Sequence, residues 1–378
     1  TSTGVPSAAT LAPTKTSAPI VTTEPPTFTL RPTNIPASTV MPTPVERLVY
    51  PEGLSAVFVN SDGSDREMLD LPLPDSLPPD IAIQHIQPSP TGRYLAFGAV
   101  TYFYQPGTYY SGIHIMDLQT GFVNSVTNDW NQLGGGTSWS PDGLNLTLSN
   151  NSIVVWDKDA GQLKYLTYGD AHLHHLYPVW SPTGEYIAFA CFESEFFYPN
   201  NDPGESGGQL CLIRPDGSEL HEIVSSIYLQ YAEGTLSRFA WSPDGRRLAY
   251  LTGEESPDIA IINIETGETH VLAANPAKDV NPDWSPDGTQ IAFASNRNGR
   301  DEIFIIGVDG EYLVNLTPNS KFDNFSPVWS PSGNHIAFLS FDPGTSSLTL
   351  TTMTADGAIP VQIGPSGSRP VWVPVETP

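Results

Sequence analysis

A five-residue unit, Trp-Ser-Pro-Asp-Gly or a close variant, recurs along this chain and constrains its fold more than any other feature. Five near-intact copies begin at Trp139, Trp180, Trp241, Trp284 and Trp329, and a degenerate sixth copy begins at Pro88. Proline presets φ, and glycine accepts the positive φ that closes a tight turn. A short apolar strand such as Ile291-Ala292-Phe293 follows the unit. The pattern predicts strand, tight turn and strand, repeated.

A second set of glycine turns gives the number of repeats. Seven are present, in Ser61-Asp62-Gly63, Gln119-Thr120-Gly121, Asp159-Ala160-Gly161, Pro215-Asp216-Gly217, Glu265-Thr266-Gly267, Val308-Asp309-Gly310 and Ala355-Asp356-Gly357. The missing seventh Ser-Pro unit is supplied at the chain ends, because residues 369–374 match the start of a unit and residues 46–72 supply its remainder. Pairing the two ends closes a ring without an open sheet edge. We therefore predict an all-β, seven-bladed β-propeller over residues 46–378.

The unit Trp-Ser-Pro-Asp-Gly-x-x-Ile-Ala-Phe, as in residues 284–293, resembles the WD40-like PD40 repeat of the TolB-type β-propellers of bacterial extracytoplasmic proteins. The resemblance covers residues 46–374. It implies an extracytoplasmic, bacterial protein that binds other proteins. The TolB propeller itself has six blades, so six blades is the alternative to seven.

Residues 1–45 have a different composition, rich in Thr, Pro, Ser and Ala, with Lys15, Glu24 and Arg31 as the only charges. Such a segment cannot bury enough apolar surface to offset the entropy of ordering, and it favours extended backbone. It resembles the spacer that follows the lipidated cysteine of bacterial surface lipoproteins, which implies a lipid anchor upstream of residue 1. The alternation in Thr27-Phe28-Thr29-Leu30 favours a second interpretation, a strand that pairs with a sheet edge.

The charge of the chain excludes one class of partner. Net charge is −25, from 16 basic and 41 acidic residues. Such a surface repels phosphate backbones, so nucleic acid is excluded as a partner. No run of 18 apolar residues is present, so no transmembrane segment is expected. We expect an exported protein, extracellular or on the cell surface.

Inserted loops indicate where a partner would bind. The first-to-second and third-to-fourth turns of each blade are short and alike, whereas the other connections vary in length, and function on a repeat scaffold follows inserted loops on one side. Aromatic residues on these loops favour a protein or glycan contact, with a small satellite core as the alternative. With a neighbouring histidine cluster, the predicted interaction residues are Tyr102, Phe103, Tyr104, Tyr109, Tyr110, His172, His174, His175, Glu193, Phe196, Phe197 and Tyr198.

The two cysteines, Cys191 and Cys211, flank the second inserted loop, at the end of one strand and the start of the next. Neighbouring antiparallel strands allow a disulfide if the Cβ atoms face each other. We predict this disulfide, which would imply an oxidising compartment. Two unpaired buried thiols are the alternative.

Catalytic and metal signals are weak. His172, His174 and His175 are placed in a loop that precedes a strand over residues 177–180, and no second ligand set with metal spacing accompanies them. No phosphate-binding glycine loop, zinc-protease motif or nucleophile elbow occurs. We expect no metal, no cofactor and no catalytic residues.

The leading functional hypothesis is a non-enzymatic binding propeller whose loop-bearing side contacts a protein or polysaccharide. One alternative is a structural subunit of an extracellular assembly or filament that self-associates through the N-terminal segment. Another is a propeller-type lyase or hydrolase that uses carboxylates in the central channel. Fold alone does not choose among them.

Overall fold

The computed structural model describes residues 46–73, 81–101, 111–127, 136–169, 173–193, 208–229, 239–253, 256–366 and 368–373. These residues form seven four-stranded antiparallel sheets, the blades of a propeller. The predicted all-β, seven-bladed fold is confirmed, and the alternative of six blades is wrong.

The blades follow the chain in order. Blade 1 contains β28 (Val371–Val373), β1 (Arg47–Glu52), β2 (Ser55–Asn60) and β3 (Glu67–Asp70); blade 2 contains β4 (Ile81–Pro88), β5 (Tyr94–Thr101), β6 (Ser111–Asp117) and β7 (Val123–Ser125); blade 3 contains β8 (Thr137–Trp139), β9 (Asn145–Ser149), β10 (Ile153–Asp157) and β11 (Gln162–Tyr165). Blade 4 contains β12 (Leu173–Trp180), β13 (Ile187–Glu193), β14 (Gly208–Ile213) and β15 (His221–Ile227); blade 5 contains β16 (Ala240–Trp241), β17 (Arg247–Thr252), β18 (Asp258–Asn263) and β19 (Thr269–Val271). Blade 6 contains β20 (Asp279–Trp284), β21 (Gln290–Ser295), β22 (Glu302–Gly307) and β23 (Val314–Asn315); blade 7 contains β24 (Asp323–Trp329), β25 (His335–Asp342), β26 (Ser347–Thr354) and β27 (Val361–Pro365).

Blade 1 closes the ring, because its innermost strand comes from the far end of the chain. β28 pairs with β1 in the register Arg47↔Val373, Leu48↔Trp372 and Val49↔Val371. The first strand after residue 46 therefore becomes the second strand of its blade. The predicted pairing of the two chain ends is confirmed.

The Ile-Ala-Phe strands alternate large and small side chains, which lets neighbouring blades interlock. In blade 6, Phe293 packs in a buried cluster with residues of blade 5, whereas Ala292 packs against Phe338 of blade 7. Successive side chains of a strand point to opposite faces, so β21 presents Phe293 to the preceding blade and Ala292 to the following blade. This alternation fills the space between twisted sheets.

The tryptophan of the repeat joins each blade to the one before it. In four blades its indole Nε1 donates to a backbone carbonyl of the preceding blade, over 2.8–3.1 Å. The acceptor is the residue directly before the Trp or Pro of that blade. The pairs are Trp139 to Gln87, Trp241 to Val179, Trp284 to Ala240 and Trp372 to Val328. In two others, a side chain of the preceding blade accepts the tryptophan backbone N–H instead, in the pairs Trp180 to Ser138 and Trp329 to Asp283. Pro88 takes the tryptophan position in blade 2.

The Ser-Pro-Asp-Gly turn is held by its own side chains. In blade 6 the Ser285 hydroxyl donates to Asp287 Oδ1 over 2.6 Å and accepts the backbone N–H of Gln290 over 2.9 Å. The bonds from Ser285 and Thr289 hold the pKa of Asp287 below its usual value. Gly288 has a φ of +71°, which a side chain would strain. The sequence therefore fixes this turn locally.

Candidate functional site: loop face and central channel

The propeller has two unlike ends. The turn face carries the turns that join first to second and third to fourth strands, and the loop face carries all other connections. Because strands of a blade are antiparallel, each kind of connection returns to one end. Every internal gap in the described residues falls between strands joined at the loop face.

Both described chain ends lie at the turn face. Val373 ends the innermost strand of blade 1 where the other blades begin their Ser-Pro turn, and it pairs with Arg47. Glu46 is fixed to the turn of blade 7, because its carboxylate accepts Ser332 N–H over 2.8 Å and lies 3.0 Å from His335 Nδ1. Burial opposes ionisation of Glu46, but these hydrogen bonds outweigh it and hold its pKa below the usual value. Chain ends and loop face are therefore at opposite ends.

Most of the sequence-predicted interaction residues lie outside the described residues. These are Tyr102, Phe103, Tyr104, Tyr109, Tyr110, His172, Phe196, Phe197 and Tyr198, together with the segment Thr27–Leu30. Glu193 ends β13 at the loop face, where it is exposed. The expected contact surface stays a prediction.

The histidines need a correction. His174 and His175 do not lie in a loop but inside β12, and they are only 1% and 5% exposed. Pro178 does not interrupt the strand, because Tyr177 adopts a φ of +60° and a β-bulge between Leu176 and Val179 absorbs the proline. Burial, with the nearby His174 second, lowers the pKa of His175. These two side chains belong to the interior of blade 4.

A disulfide joins Cys191 of β13 to Cys211 of β14, with the Cα atoms 6.2 Å apart. The two residues are diagonal neighbours in the register, since Cys191 pairs with Gln209 and Cys211 pairs with Phe189. Both side chains therefore point to the same side of the blade. The bond ties the two strands directly below the connection between them at the loop face.

A polar cluster of the loop face lies at the end of blade 6. Arg297, in the loop between β21 and β22, donates to Asp279 over 2.8 Å and to Ser295 over 2.9 Å. Its guanidinium also lies 4.8 Å from the ring centroid of Phe304 and 5.5 Å from that of Phe293. Asp279 is fully buried, so this ion pair is shielded from solvent.

A second buried carboxylate organises the same loop. Glu302 is 5% exposed and accepts the side-chain amides of Asn298 and Asn315 over 2.8 Å each, and the backbone N–H of Asn319 over 3.1 Å. Burial is also the main cause of a raised pKa at Asp301, next to the exposed Arg300. A largely buried polar network therefore organises this end of blade 6.

At the innermost strands, which surround the centre of the ring, an ion pair links three blades. Asp283 of blade 6 accepts Trp329 N–H of blade 7 over 2.8 Å and Arg369 Nη2, next to blade 1, over 3.1 Å. Each of the two charged side chains is only 21% exposed, so protein shields most of its surface from water. Desolvation therefore dominates: it raises the pKa of Asp283 and lowers the pKa of Arg369, against their mutual attraction.

Sequence reasoning missed this pair and the blade 6 cluster. Asp283 is the one charged residue directly before a repeat Trp, which is a visible signal once the repeats are aligned. Ser295-Asn296-Arg297-Asn298-Gly299 is a polar loop after a strand, but its contacts depend on the register. Within the described ranges, no three His, Cys, Asp or Glu side chains are grouped so as to hold a metal ion. The same ranges hold no helix long and apolar enough to cross a membrane.

The fold and the two unlike faces define the chain as a closed repeat propeller with a turn face, a loop face and a channel. Residues 209–375 match the family model PD40, the TolB beta propeller domain. Over these residues the chain is a PD40-type propeller similar to the TolB propellers, as the repeat resemblance implied.

Comparisons with individual proteins agree on the fold. An uncharacterized protein of Agrobacterium fabrum is 28% identical over 232 residues, 58% of this chain and 70% of that protein. TolB from Acinetobacter baumannii is 17% identical, with a TM-score of 0.51 over 85% of this chain and 79% of the other. An oligogalacturonate lyase in complex with manganese is 14% identical, with a TM-score of 0.60 over 85% of both chains. Such identities show a shared propeller fold alone.

Proposed function

We propose that this protein is an exported, non-enzymatic binding propeller that presents its loop face to a protein or polysaccharide partner. The observation that carries the proposal is the placement of the chain ends. Glu46 is held at the turn face, and Val373 ends there too. The loop face lies at the opposite end from the point where the segment before residue 46 joins the propeller.

The charged groups of the described loop face and channel support binding over acid–base chemistry. Asp279 and Glu302 are buried, and both, like Asp283, accept hydrogen bonds from neighbouring groups. A general acid or base must instead reach the substrate proton. Exposed charged groups at the loop face, such as Glu193 and Arg300, lie where a partner would make contact. The disulfide is consistent with export to an oxidising compartment.

A matched pair of charge reversals tests which face binds. Arg300 is exposed at the loop face and Arg246 is exposed at the turn face. Full-length protein is applied to arrays of polysaccharides and purified bacterial envelope proteins, and each positive is titrated. We expect Arg300→Glu to weaken binding by roughly 5–10-fold and Arg246→Glu to leave it unchanged, because a contact charge is worth about 1 kcal/mol.

Two results would contradict the proposal. Equal weakening by both variants would place the contact elsewhere than the loop face. A change in mass or absorbance of the bound partner during incubation, with or without added Mn²⁺, would show turnover and replace the binding function with an enzymatic one.

A further inference from the structure

A pocket of about 660 Å³ lies between blades 6 and 7, away from the channel. Its apolar floor contains Phe338 and Met353 of blade 7 and Leu316 from the segment that follows β23. All three side chains are at most 6% exposed. The outer strand of blade 6, β23, is only two residues long, so the pocket is not covered by a full strand there.

The register explains why blade 7 has this space. Phe338 pairs with Thr351 in blade 7, and the equivalent Phe293 of blade 6 pairs with Phe304. Threonine therefore stands where blade 6 has a phenylalanine ring. In blade 6 the long side chain of Arg297 covers the ring of Phe304. In blade 7 the equivalent place, two residues after the serine of the second strand, holds the shorter Asp342.

Blade 4 shows a second way of filling the same position. Cys211 pairs with Phe189 there, as Thr351 pairs with Phe338, and it carries the disulfide to Cys191. The ring of His175 packs edge-on against Phe189 with the centroids 5.4 Å apart. Equivalent space is thus closed in blades 4 and 6 and left open in blade 7.

The polar wall of the pocket is pre-organised. Ser340 Oγ donates to Asn324 Oδ1 over 2.8 Å and lies 3.0 Å from Thr351 Oγ1. All three residues are buried, at 4% exposure or less. A threonine hydroxyl has one donor and two acceptor sites, so Thr351 keeps capacity for a ligand. The wall therefore adds a polar contact to an apolar floor.

The rim of the pocket carries Lys321, which is exposed. Lys321 forms no ion pair with any described residue, whereas eight other described basic side chains do. In a chain with 16 basic and 41 acidic residues, an uncommitted ammonium at a pocket mouth favours a carboxylate.

We propose that this pocket binds a ligand that combines an aromatic ring with a carboxylate. The ring occupies the place that Phe304 fills in blade 6, against Phe338 and Met353, and the carboxylate meets Lys321. The ligand is either a free aromatic acid or the C-terminal phenylalanine of a peptide, which share this chemistry. The β23–β24 connection of the loop face lines one side of the pocket, but the proposal does not depend on the function proposed for that face.

Isothermal titration with 3-phenylpropionate tests the proposal on the full chain. For a ligand of this size we expect a Kd of about 0.1–1 mM. Thr351→Phe restores the ring found in blade 6 and should weaken binding by at least roughly tenfold, because the pocket is then filled. Gln362→Trp, on the exposed outer strand β27, should block the same pocket if Thr351→Phe fails to fold.

The charge requirement is tested separately. Lys321→Gln should weaken 3-phenylpropionate by roughly 5–10-fold and leave the neutral alcohol 3-phenylpropanol unchanged, whereas Lys164→Gln on β11 should change neither. Tighter binding of the tripeptide glycyl-glycyl-phenylalanine identifies a peptide C-terminus as the source, and weaker binding identifies a free acid. The proposal is overturned by no saturable binding up to about 10 mM, by binding that survives pocket-filling in a folded variant, or by equal effects of the two lysine changes.

Discussion

Blades 4 and 7 use the same register positions in different ways. In blade 4 the diagonal pair between second and third strands is the disulfide Cys191–Cys211. In blade 7 the equivalent pair is Ser340 and Thr351, joined by a hydrogen bond of 3.0 Å. A long connection joins Glu193 to Gly208 in blade 4, and a short connection joins Asp342 to Ser347 in blade 7.

Backbone pairing of the two strands is common to both blades, whereas the side-chain contact between them differs. The side chains at this position are therefore not required to form one particular contact, and they have different roles in different blades. Blade 4 has a covalent link below a long loop, where closing the loop costs most entropy. Blade 7 has a short connection and uses the position as the wall of a pocket.

The largest expected effect comes from making blade 4 resemble blade 7. The double substitution Cys191→Ser and Cys211→Ser should lower the free energy of unfolding by about 3 kcal/mol, because a link across a separation of 20 residues is lost. Urea unfolding followed by fluorescence measures it. Wild type with reductant should show the same loss, and the variant should not respond to reductant. Equal midpoints for wild type and variant would show that the bond does not form.

The reverse transfer sharpens the comparison. Ser340→Cys with Thr351→Cys should form a disulfide in blade 7, and oxidation should raise the free energy of unfolding of this variant by about 2 kcal/mol over its reduced form, since the closed loop is shorter than in blade 4. Thiol counts and urea midpoints under oxidising conditions check this outcome. Ser340→Cys alone is the control. Two free thiols in the oxidised double variant would mean that the two blades differ in strand geometry as well as in side chains.

A smaller effect should follow from removing the blade 7 hydrogen bonds. Ser340→Ala leaves Asn324 and Thr351 buried without this partner, which should cost about 1–2 kcal/mol. The change in urea midpoint measures it. Ser347→Ala, at the exposed start of β26, should stay within about 0.5 kcal/mol of wild type. A cost as small for Ser340→Ala would show that solvent replaces the lost bonds.

The smallest expected effect is on the pH dependence of stability. His175 of blade 4 and Asn324 of blade 7 occupy equivalent positions, so His175→Asn makes blade 4 resemble blade 7. Burial lowers the pKa of His175, so below about pH 6.5 the unfolded chain takes up a proton that the folded protein excludes. The free energy of unfolding therefore decreases as the pH is lowered. His175→Asn should make this fall shallower, without abolishing it, since burial also lowers the pKa of His85 and His114 to about 4.

Urea unfolding at about pH 7.5 and about pH 5.5 measures that slope. His270→Asn, at an exposed position on β19, is the control for a histidine substitution outside the interior. An unchanged slope in His175→Asn would show that His175 is protonated in the folded protein.

Local turn chemistry made the ring predictable from sequence. Ser-Pro-Asp-Gly closes its turn with its own side chains, so counting turns counted blades, and the leftover Trp372 segment located the closing strand. The extent of β12 was not predictable in this way. Pro178 normally ends a strand, and only the bulge at Tyr177, formed with a neighbouring strand, lets it continue through His174 and His175.

The pocket could not be predicted because it depends on cross-strand pairing. Thr351 and Phe304 are equivalent only through their partners Phe338 and Phe293. In the sequence, Leu350-Thr351-Thr352 is an ordinary polar variant of Ile303-Phe304-Ile305. The Asp283–Arg369 pair depends likewise on two residues that are brought together only when the ring closes.

The composite blade also sets an order of assembly. Six sheets consist of consecutive strands and can form as the chain emerges, each nucleated by local turns. β1, β2 and β3 come first in the sequence but lack their innermost neighbour until residues 371–373 are available. The contacts of Trp372 and the Arg369–Asp283 pair depend on the same late segment. The earliest part of the propeller to be synthesised thus needs its latest part to be completed.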